Sequence, residues 1–270
     1  MMAMAKGPRQ LSGKRIIVTG GSSGVGRAVA ADLTRRGARV LVTARRDERL
    51  RALVERGDAE AFLAGDICDP PTRQQIVATA AEHFGGIDGV VAAAGGGAIG
   101  RFCDLAPATF ARILDLDFLA QAELVRECLP WLATGHDPVI VLVGSILGLH
   151  PLPLHGEYCA AKAALRSLAG TLRTELADDG IGVLLVNLGP TESEFWEGLL
   201  AGQKPPWSRG HRMPADRAAR SITRAMERRR RDVTPGWQAV GYAIAARLAP
   251  WLIDAAASRH LRRDQPDPRR

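Results

Sequence analysis

Aromatic residues are scarce in this chain of 270 residues: Phe, Trp and Tyr make up 5% of it, and Tyr occurs twice. Four cysteines are present, but no two form a CxxC pair, and the six histidines show no HExxH or similar spacing. These absences argue against a disulfide framework and against a metal site built from thiolates or imidazoles. We therefore expect no metal, and a reducing compartment, the cytoplasm, as the location.

Long hydrophobic runs are also missing. The first ten residues contain no apolar stretch of signal-peptide length, so export is not expected. Toward the other end, the longest stretch without a charged residue covers 233–246, which is shorter than the roughly 20 residues that a membrane-spanning helix needs. With 46% hydrophobic and 24% charged residues, the composition predicts a globular protein with a sizeable core.

Acidic residues are few in the C-terminal part, where 204–270 hold 16 Lys and Arg against 6 Asp and Glu. On a helix predicted over 215–231, arginines recur every three or four residues, namely Arg217, Arg220, Arg224 and Arg228. A solvated helix face is the simpler interpretation, and attraction to an acidic substrate or membrane surface is the alternative. Neither interleaved aromatics nor a known module indicates nucleic-acid binding.

Short β-branched runs alternate with longer amphipathic stretches through the first 190 residues. The pattern predicts strands over 15–19, 39–43, 61–64, 90–93, 139–143 and 181–186, and helices over 24–36, 47–56, 71–84, 107–132 and 157–177. Such alternation predicts an α/β fold with one open, doubly wound parallel sheet that carries helices on both faces. We expect a single domain over 1–270, with an N-terminal extension (1–11), a substrate loop (190–214) and a C-terminal helix and tail (236–270).

A glycine-rich turn, Thr19-Gly20-Gly21-Ser22-Ser23-Gly24-Val25-Gly26, separates the first predicted strand from the first predicted helix. Glycines let the backbone approach a pyrophosphate closely, and the following helix N-terminus offers free N–H groups to the anion. An ordinary glycine-rich turn is the alternative. The residues expected to bind a dinucleotide here are Gly20, Ser22, Ser23, Gly24, Val25 and Gly26.

The end of the second predicted strand indicates which dinucleotide is bound. A protein that prefers NAD usually has an acidic residue there, which binds the ribose hydroxyls. Here Ala44 stands at that position and is followed by Arg45 and Arg46. Two guanidinium groups can hold a 2′-phosphate through charge-assisted hydrogen bonds. We therefore expect NADP rather than NAD, although both arginines could simply solvate the start of a helix.

Tyr158 and Lys162 are four residues apart in a predicted helix, so their side chains share one face. A neighbouring cation lowers the pKa of a tyrosine, which otherwise is a poor base at neutral pH. Ser145, at the end of the fifth predicted strand, could donate a hydrogen bond to a substrate carbonyl oxygen. Each signal alone is weak, because a YxxxK motif could be surface decoration and Ser145 a strand-end cap.

Together and in this order, these motifs resemble the short-chain dehydrogenase/reductase family, over roughly residues 12–195. The resemblance implies a Rossmann fold with about seven strands and a Ser-Tyr-Lys catalytic unit in which Lys162 also binds the nicotinamide ribose. It implies further cofactor contacts from residues at or after the ends of three of the strands, which are Asp66, Ile67, Ala93, Ala94, Gly95, Thr191 and Ser193.

The chain departs from the family pattern at three places. The NNAG segment of the family reads Ala92-Ala93-Ala94-Gly95 here, and Leu188 replaces the usual Pro before a glycine. Asp117 aligns with an Asn that the family often carries in the long fourth helix. An ionised Asp only accepts hydrogen bonds, so its charge could alter Lys162 or a proton-relaying water. We expect activity to persist with a different pH profile, and we count Asp117 among the catalytic residues.

The leading hypothesis is an NADP(H)-dependent oxidoreductase that interconverts a carbonyl and a secondary alcohol, with Tyr158 as general acid and base. The alternative is a dinucleotide-binding sensor or scaffold with impaired catalysis. Peripheral membrane contact through the basic helix and residues 237–257 is a third interpretation. The substrate is expected to be apolar or bulky, in a pocket formed by residues 150–155 and a loop with Trp196 and Trp207. A homodimer or homotetramer is expected.

Overall fold

Seven parallel strands form one sheet in the computed structural model, which describes residues 7–204 and 212–264. The strand order is β3-β2-β1-β4-β5-β6-β7. The strands are β1 (Arg15–Thr19), β2 (Arg39–Ala44), β3 (Ala61–Ala64), β4 (Gly89–Ala92), β5 (Val139–Ser145), β6 (Gly182–Leu188) and β7 (Asp232–Val233). The order reverses between β1 and β4, and a parallel sheet opens a crevice beyond its carboxyl edge at such a point.

Helices cover both faces of the sheet. They are α1 (Gly24–Arg35), α2 (Asp47–Glu55), α3 (Pro70–Phe84), α4 (Pro107–Leu114), α5 (Ala120–Ala133), α6 (Gly156–Glu175), α7 (Ala215–Glu227), α8 (Trp237–Leu248) and α9 (Pro250–Asp264). Apolar residues of α1, α2 and α7 form the core on one face, and those of α3, α5 and α6 form the core on the other. The predicted doubly wound, single-domain α/β fold is therefore confirmed.

Strand β1 illustrates why the sheet is buried on both sides. Successive side chains of a strand point to opposite faces, so Ile16 and Val18 enter one core while Ile17 enters the other. All three are at most 1% exposed. A strand with two covered faces needs an uninterrupted apolar run, and this strand has one. The same reasoning holds for β5, which is buried along its whole length.

The long helix predicted over 107–132 is interrupted. It consists of α4 and α5, joined by a turn of π-helix over Asp115–Leu119. In this wide turn the N–H of Ala120 bonds to the carbonyl of Asp115, five residues earlier. Such single turns are frequent at functional sites, and the hydrophobic pattern of the sequence does not reveal this one.

The prediction of a helix over 215–231 is wrong at its C-terminal end. Helix α7 stops at Glu227, and Arg229 adopts a left-handed conformation with φ 52°. The guanidinium of Arg229 forms two hydrogen bonds with Asp137, at 2.6 and 2.8 Å. Beyond this point the chain enters the sheet as β7, the seventh strand that the family resemblance implied.

The arginine stripe of α7 faces solvent, while Ala218, Ile222 and Met226 are buried against the sheet. Helices α8 and α9, where one C-terminal helix was expected, expose several large apolar side chains, among them Trp237 and Trp251. Among the described residues, no helix combines the length and apolar character needed to cross a membrane.

Candidate active site

A cleft of about 520 Å³ opens at the carboxyl edge of the sheet, where the strand order reverses. The ends of β1, β2, β4 and β5 all contribute to its walls. The predicted cofactor residues that line it are Gly20, Ser22, Ser23, Gly24, Val25, Gly26, Arg45, Arg46, Asp66, Ile67, Ala93, Ala94, Gly95, Tyr158, Lys162 and Ser193. Asp117 lines it too, whereas Ser145 and Thr191 line an adjoining cavity.

The glycine turn has the form that a dinucleotide requires. Gly20 has φ +67°, and a Cβ atom there would lie 2.8 Å from the carbonyl oxygen of Ala93, so a larger residue would close the turn against β4. Ser23 precedes α1 without a capping hydrogen bond from its side chain. The first N–H groups of α1 therefore remain available to an anion. The residues of the turn fit the pyrophosphate of a bound dinucleotide.

Basic side chains line the end of the cleft that lies beyond β2. Arg46 donates from Nε and Nη2 to the hydroxyl of Ser22, at 3.2 and 3.0 Å. Its Nη1 contacts the carboxylate of Glu194 at 2.7 Å, and Arg49 contacts the same carboxylate at 2.5 Å. Arg45 is exposed at the rim. Two arginines thus already hold an anion, the carboxylate of Glu194, beside the glycine turn.

The end of β4 is braced without the asparagines that the family uses. The hydroxyl of Thr19 accepts hydrogen bonds from the N–H groups of Ala93 and Ala94, at 2.9 and 3.0 Å. The amide of Gln121 donates to the carbonyl of Ala94 at 2.6 Å. It also lies 3.3 Å from the carbonyl of Asp117 inside the π turn. Thr19 and Gln121 therefore hold this wall of the cleft in place.

Ser145, Tyr158 and Lys162 converge where the cleft meets the adjoining cavity. Ser145 ends β5, and its hydroxyl accepts a hydrogen bond from the N–H of Leu147 at 3.1 Å. The same hydroxyl lowers the pKa of Tyr158. One turn along α6 from Tyr158, the ammonium nitrogen of Lys162 lies 5.6 Å from the centre of the tyrosine ring. Tyr158 lines both cavities. A phenol, an ammonium group and a hydroxyl are therefore grouped at the junction of the two.

Asp117 points from the π turn at the same lysine. Its Oδ1 lies 2.9 Å from the Nζ of Lys162, and its Oδ2 accepts from the N–H of Gly96 at 2.9 Å. Lys162 also lies 3.3 Å from the carbonyl of Val143. The side chain of Asp117 is 0% exposed and that of Lys162 4%, so water screens this ion pair very little.

The pKa values of these groups depend on burial and on one another. Burial raises the pKa of Tyr158; the charge of Lys162 opposes this shift, and the carboxylate of Asp117 adds to it. Burial is the largest influence on Lys162 and would lower its pKa, but the ion pair with Asp117 and the neighbouring Tyr158 together outweigh burial and raise it. Burial raises the pKa of Asp117, and the charge and hydrogen bond of Lys162 oppose that rise. Lys162 therefore stays charged. The carboxylate of Asp117 balances this positive charge, which would otherwise favour ionisation of the Tyr158 phenol.

The adjoining cavity, of about 370 Å³, is mostly apolar. Phe195 covers the junction, with its ring 5.6 Å from that of Tyr158 in an edge-to-face arrangement. Trp196 and the buried His155 line its walls, whereas His150, from the same predicted segment, contacts Asp254 instead. The assignment of these segments to a substrate pocket stays a prediction. Trp207, the other tryptophan assigned to this loop, lies outside the described residues.

Four residues of the site were not predicted from the sequence: Arg49, Gln121, Glu194 and Phe195. Arg49 could have been found, because it follows Arg46 by three residues and so shares its helix face. Glu194 and Phe195 belong to a short 3₁₀ turn after β6, Glu194–Trp196, that carries no distinctive motif. Their positions depend on how the loop folds back over the cleft.

Comparisons with known proteins agree with this geometry. The family model for short chain dehydrogenases matches residues 14–204. The chain is 34% identical over 192 residues to a short chain dehydrogenase of Pseudocercospora fijiensis, covering 69% of this chain and 62% of that protein. It is 31% identical over 262 residues to 11-beta-hydroxysteroid dehydrogenase 1A of Arabidopsis thaliana, covering 90% and 74%.

Among solved structures, a short-chain dehydrogenase from Streptomyces avermitilis matches with a TM-score of 0.80 at 26% identity. The match covers 94% of this chain and 99% of that one. The region that the family model covers contains every residue predicted above to act in catalysis or cofactor binding.

Proposed function

Because the chain belongs to the short-chain dehydrogenase family of oxidoreductases, we propose that it interconverts a carbonyl compound and a secondary alcohol with NADP(H). The observation that carries this proposal is the grouping of Ser145, Tyr158 and Lys162 where the cleft lined by the glycine turn meets the apolar cavity. A cofactor bound in the cleft and a substrate bound in the apolar cavity would meet at Tyr158.

Each residue has a defined task in this reaction. NADP(H), when bound, supplies or accepts the hydride. Ser145 donates a hydrogen bond to the substrate oxygen, where negative charge builds up during reduction. Tyr158 transfers the proton to or from that oxygen. Lys162 orients the nicotinamide ribose and acts on the phenol through its charge.

Three arginines support the choice of NADP over NAD. Ala44 stands where an NAD-binding protein would place an acid, and Arg45, Arg46 and Arg49 line the cleft beyond it. Guanidinium groups bind a phosphate more strongly than a neutral hydroxyl. A 2′-phosphate would take the place that the carboxylate of Glu194 now occupies on Arg46 and Arg49.

The cavity beside Tyr158 supports an apolar or bulky substrate. Ile146, Leu147, Leu188 and Trp196 form much of its wall. The polar groups needed at the reacting oxygen, Ser145 and Tyr158, lie at one end. Such a division, with mostly apolar walls and a few polar groups that fix orientation, is typical of sites for small organic ligands.

Replacing Tyr158 by Phe tests the proposal. General acid–base catalysis typically contributes a factor of about 10² to 10⁴, so turnover of carbonyl substrates should fall by at least 100-fold while the Kd for NADPH changes little. Tyr242→Phe is the control, because it removes the other phenol of the chain and should reduce turnover far less.

The measurement is NADPH oxidation across a panel of apolar ketones and aldehydes, with a separate titration of NADPH binding. Unchanged turnover in Tyr158→Phe would exclude the assigned role. If the unaltered protein binds NADPH but oxidises it with no member of the panel, the sensor alternative is favoured instead.

A further inference from the structure

Asp117 gives this site a buried negative charge that the family pattern, with its Asn, lacks. The carboxylate is in contact with the ammonium group of Lys162 and with the N–H of Gly96, and no part of the side chain reaches solvent. A charge in such a place acts at nearly full strength on its neighbours, because burial removes the screening by water.

We propose that Asp117 is a positioning residue that neutralises Lys162 and thereby keeps Tyr158 in the phenol form, so that the site is built to donate a proton to a carbonyl oxygen. The inference rests on the proposed function. It adds to that function the direction in which the site works at neutral pH, which is reduction.

The form that Tyr158 prefers depends on the net charge of the buried cluster that it forms with Lys162 and Asp117. With Asp117 ionised and Lys162 protonated, the cluster is neutral while Tyr158 is a phenol, and it carries one negative charge once Tyr158 is a phenolate. With an amide at position 117, the phenol form would carry one positive charge and the phenolate form would be neutral. Burial disfavours net charge. Asp117 therefore shifts the balance of Tyr158 toward its phenol form.

The other groups around Tyr158 do not cancel this effect. The titratable groups that act on it are Lys162, Asp117 and Cys159. Burial raises the pKa of the Cys159 thiol, which is therefore neutral at neutral pH and adds no charge. The hydroxyl of Ser145 favours the phenolate, to which it can donate a hydrogen bond, and so lowers the pKa of Tyr158. Lys162 and Ser145 favour the phenolate, but burial and the carboxylate of Asp117 oppose it, and the pKa of Tyr158 is raised overall.

The two directions of the reaction depend on Tyr158 in opposite ways. In reduction, the carbonyl carbon gains a hydride from the reduced cofactor, which is oxidised by two electrons. The phenolic O–H bond breaks as a new O–H bond forms on the substrate oxygen, and the phenolate then takes a proton from water. In oxidation, the phenolate must accept the alcohol proton, so Tyr158 has to be ionised first. Asp117 leaves the overall equilibrium unchanged but moves oxidation to higher pH.

The chain offers a direct measurement, because Tyr158 and Tyr242 are its only tyrosines. In Tyr242→Phe, the ultraviolet difference signal of tyrosinate reports Tyr158 alone, in the free protein and without cofactor. We expect Tyr158 to ionise above the usual tyrosine pKa of about 10. Adding Asp117→Asn should lower that pKa by about one unit or more, the size expected for a nearby charge.

Asp115→Asn is the matched control. Asp115 lies in the same π turn, but its carboxylate pairs with Arg112 at 3.3 Å and is 38% exposed. Asp115→Asn removes the same formal charge as Asp117→Asn but does not alter a contact of Lys162. The midpoint of the Tyr158 titration should therefore not change. In activity assays, Asp117→Asn should shift the pH profile of alcohol oxidation downward, and Asp115→Asn should not.

The inference is overturned if Asp117→Asn leaves the tyrosinate titration unchanged, or if Asp115→Asn shifts it equally. If Asp117→Asn does not fold, the titration of Tyr242→Phe alone still decides, since ionisation of Tyr158 at or below about pH 10 contradicts the proposal. A shifted titration in a protein that reduces no carbonyl compound would refute the proposed function but leave the role of Asp117 intact.

Discussion

Replacing Glu194 by Gln should strengthen the binding of NADPH. In the free protein, the carboxylate of Glu194 contacts Arg46 at 2.7 Å and Arg49 at 2.5 Å. A 2′-phosphate bound by the same two arginines has to displace this carboxylate or share them with it. The glutamine side chain keeps the size of the residue but removes the competing charge.

The size of the effect follows from the exposure of these pairs. The three side chains are between 36% and 47% exposed, so each pair contributes only about 0.2 to 1 kcal/mol. Two such pairs amount to at most about 2 kcal/mol, and a factor of ten in Kd corresponds to about 1.4 kcal/mol. We therefore expect the Kd for NADPH to fall by roughly twofold to 30-fold, and by less at high salt, because salt screens exposed charges.

The assay is calorimetric titration of NADPH and NADH at low and high salt. NADH lacks the 2′-phosphate, so its Kd should change far less than that of NADPH. Glu197→Gln is the control, since Glu197 is an exposed carboxylate that lines the same cleft. The reasoning is refuted if Glu194→Gln weakens NADPH binding, or if it changes the binding of NADPH and NADH alike.

Two further substitutions test the fold and the pocket. Asp88 is 3% exposed and binds Arg15 at 2.7 and 2.8 Å, so Asp88→Asn should lower the free energy of unfolding by about 3 kcal/mol in urea denaturation at neutral pH. Burial raises the pKa of Asp88, but Arg15 and two backbone N–H groups outweigh it and hold the pKa below 3.8. The stabilisation is therefore complete above that value and lost as the pH falls below it; equal acid sensitivity in the variant would contradict this. In Gly97→Ala, the new Cβ would lie 2.3 Å from the ring of Phe195, which must then move away from Tyr158. The KM for a carbonyl substrate should rise roughly twofold to tenfold, as expected for loss of one aromatic contact, while the Kd for NADPH stays unchanged. If the KM and the Kd rise equally, Phe195 does not act only in the substrate pocket.

Most of the sheet is predictable from local pattern. The spans of β1 and β3 agree with the prediction at both ends, and the other predicted strands differ by one or two residues at an end. These strands are recognisable because both faces are buried, which requires continuous apolar runs between turn signals. β7 escaped prediction, because two residues are too few to form a pattern, and the helix before it ends at the left-handed Arg229.

The partners of the site residues are less accessible to sequence reasoning. The glycine turn and the positions of Tyr158 and Lys162 on one helix face follow from spacing. The assignment of each to catalysis or cofactor binding stays a prediction. The ion pair of Asp117 with Lys162 joins two elements 45 positions apart, and it needs the π turn to aim the carboxylate. The contact of Glu194 with Arg46 joins a loop to a helix across the cleft.

The sequence by itself determined the α/β class, the dinucleotide turn and the helical pair of phenol and ammonium group, because each depends on interactions between residues close along the chain. Tertiary structure alone decided which charges face one another: the carboxylate of Asp117 on Lys162 and that of Glu194 on the arginines. Electrostatic interactions depend on distance in space and on burial, and neither quantity can be obtained from spacing along the chain.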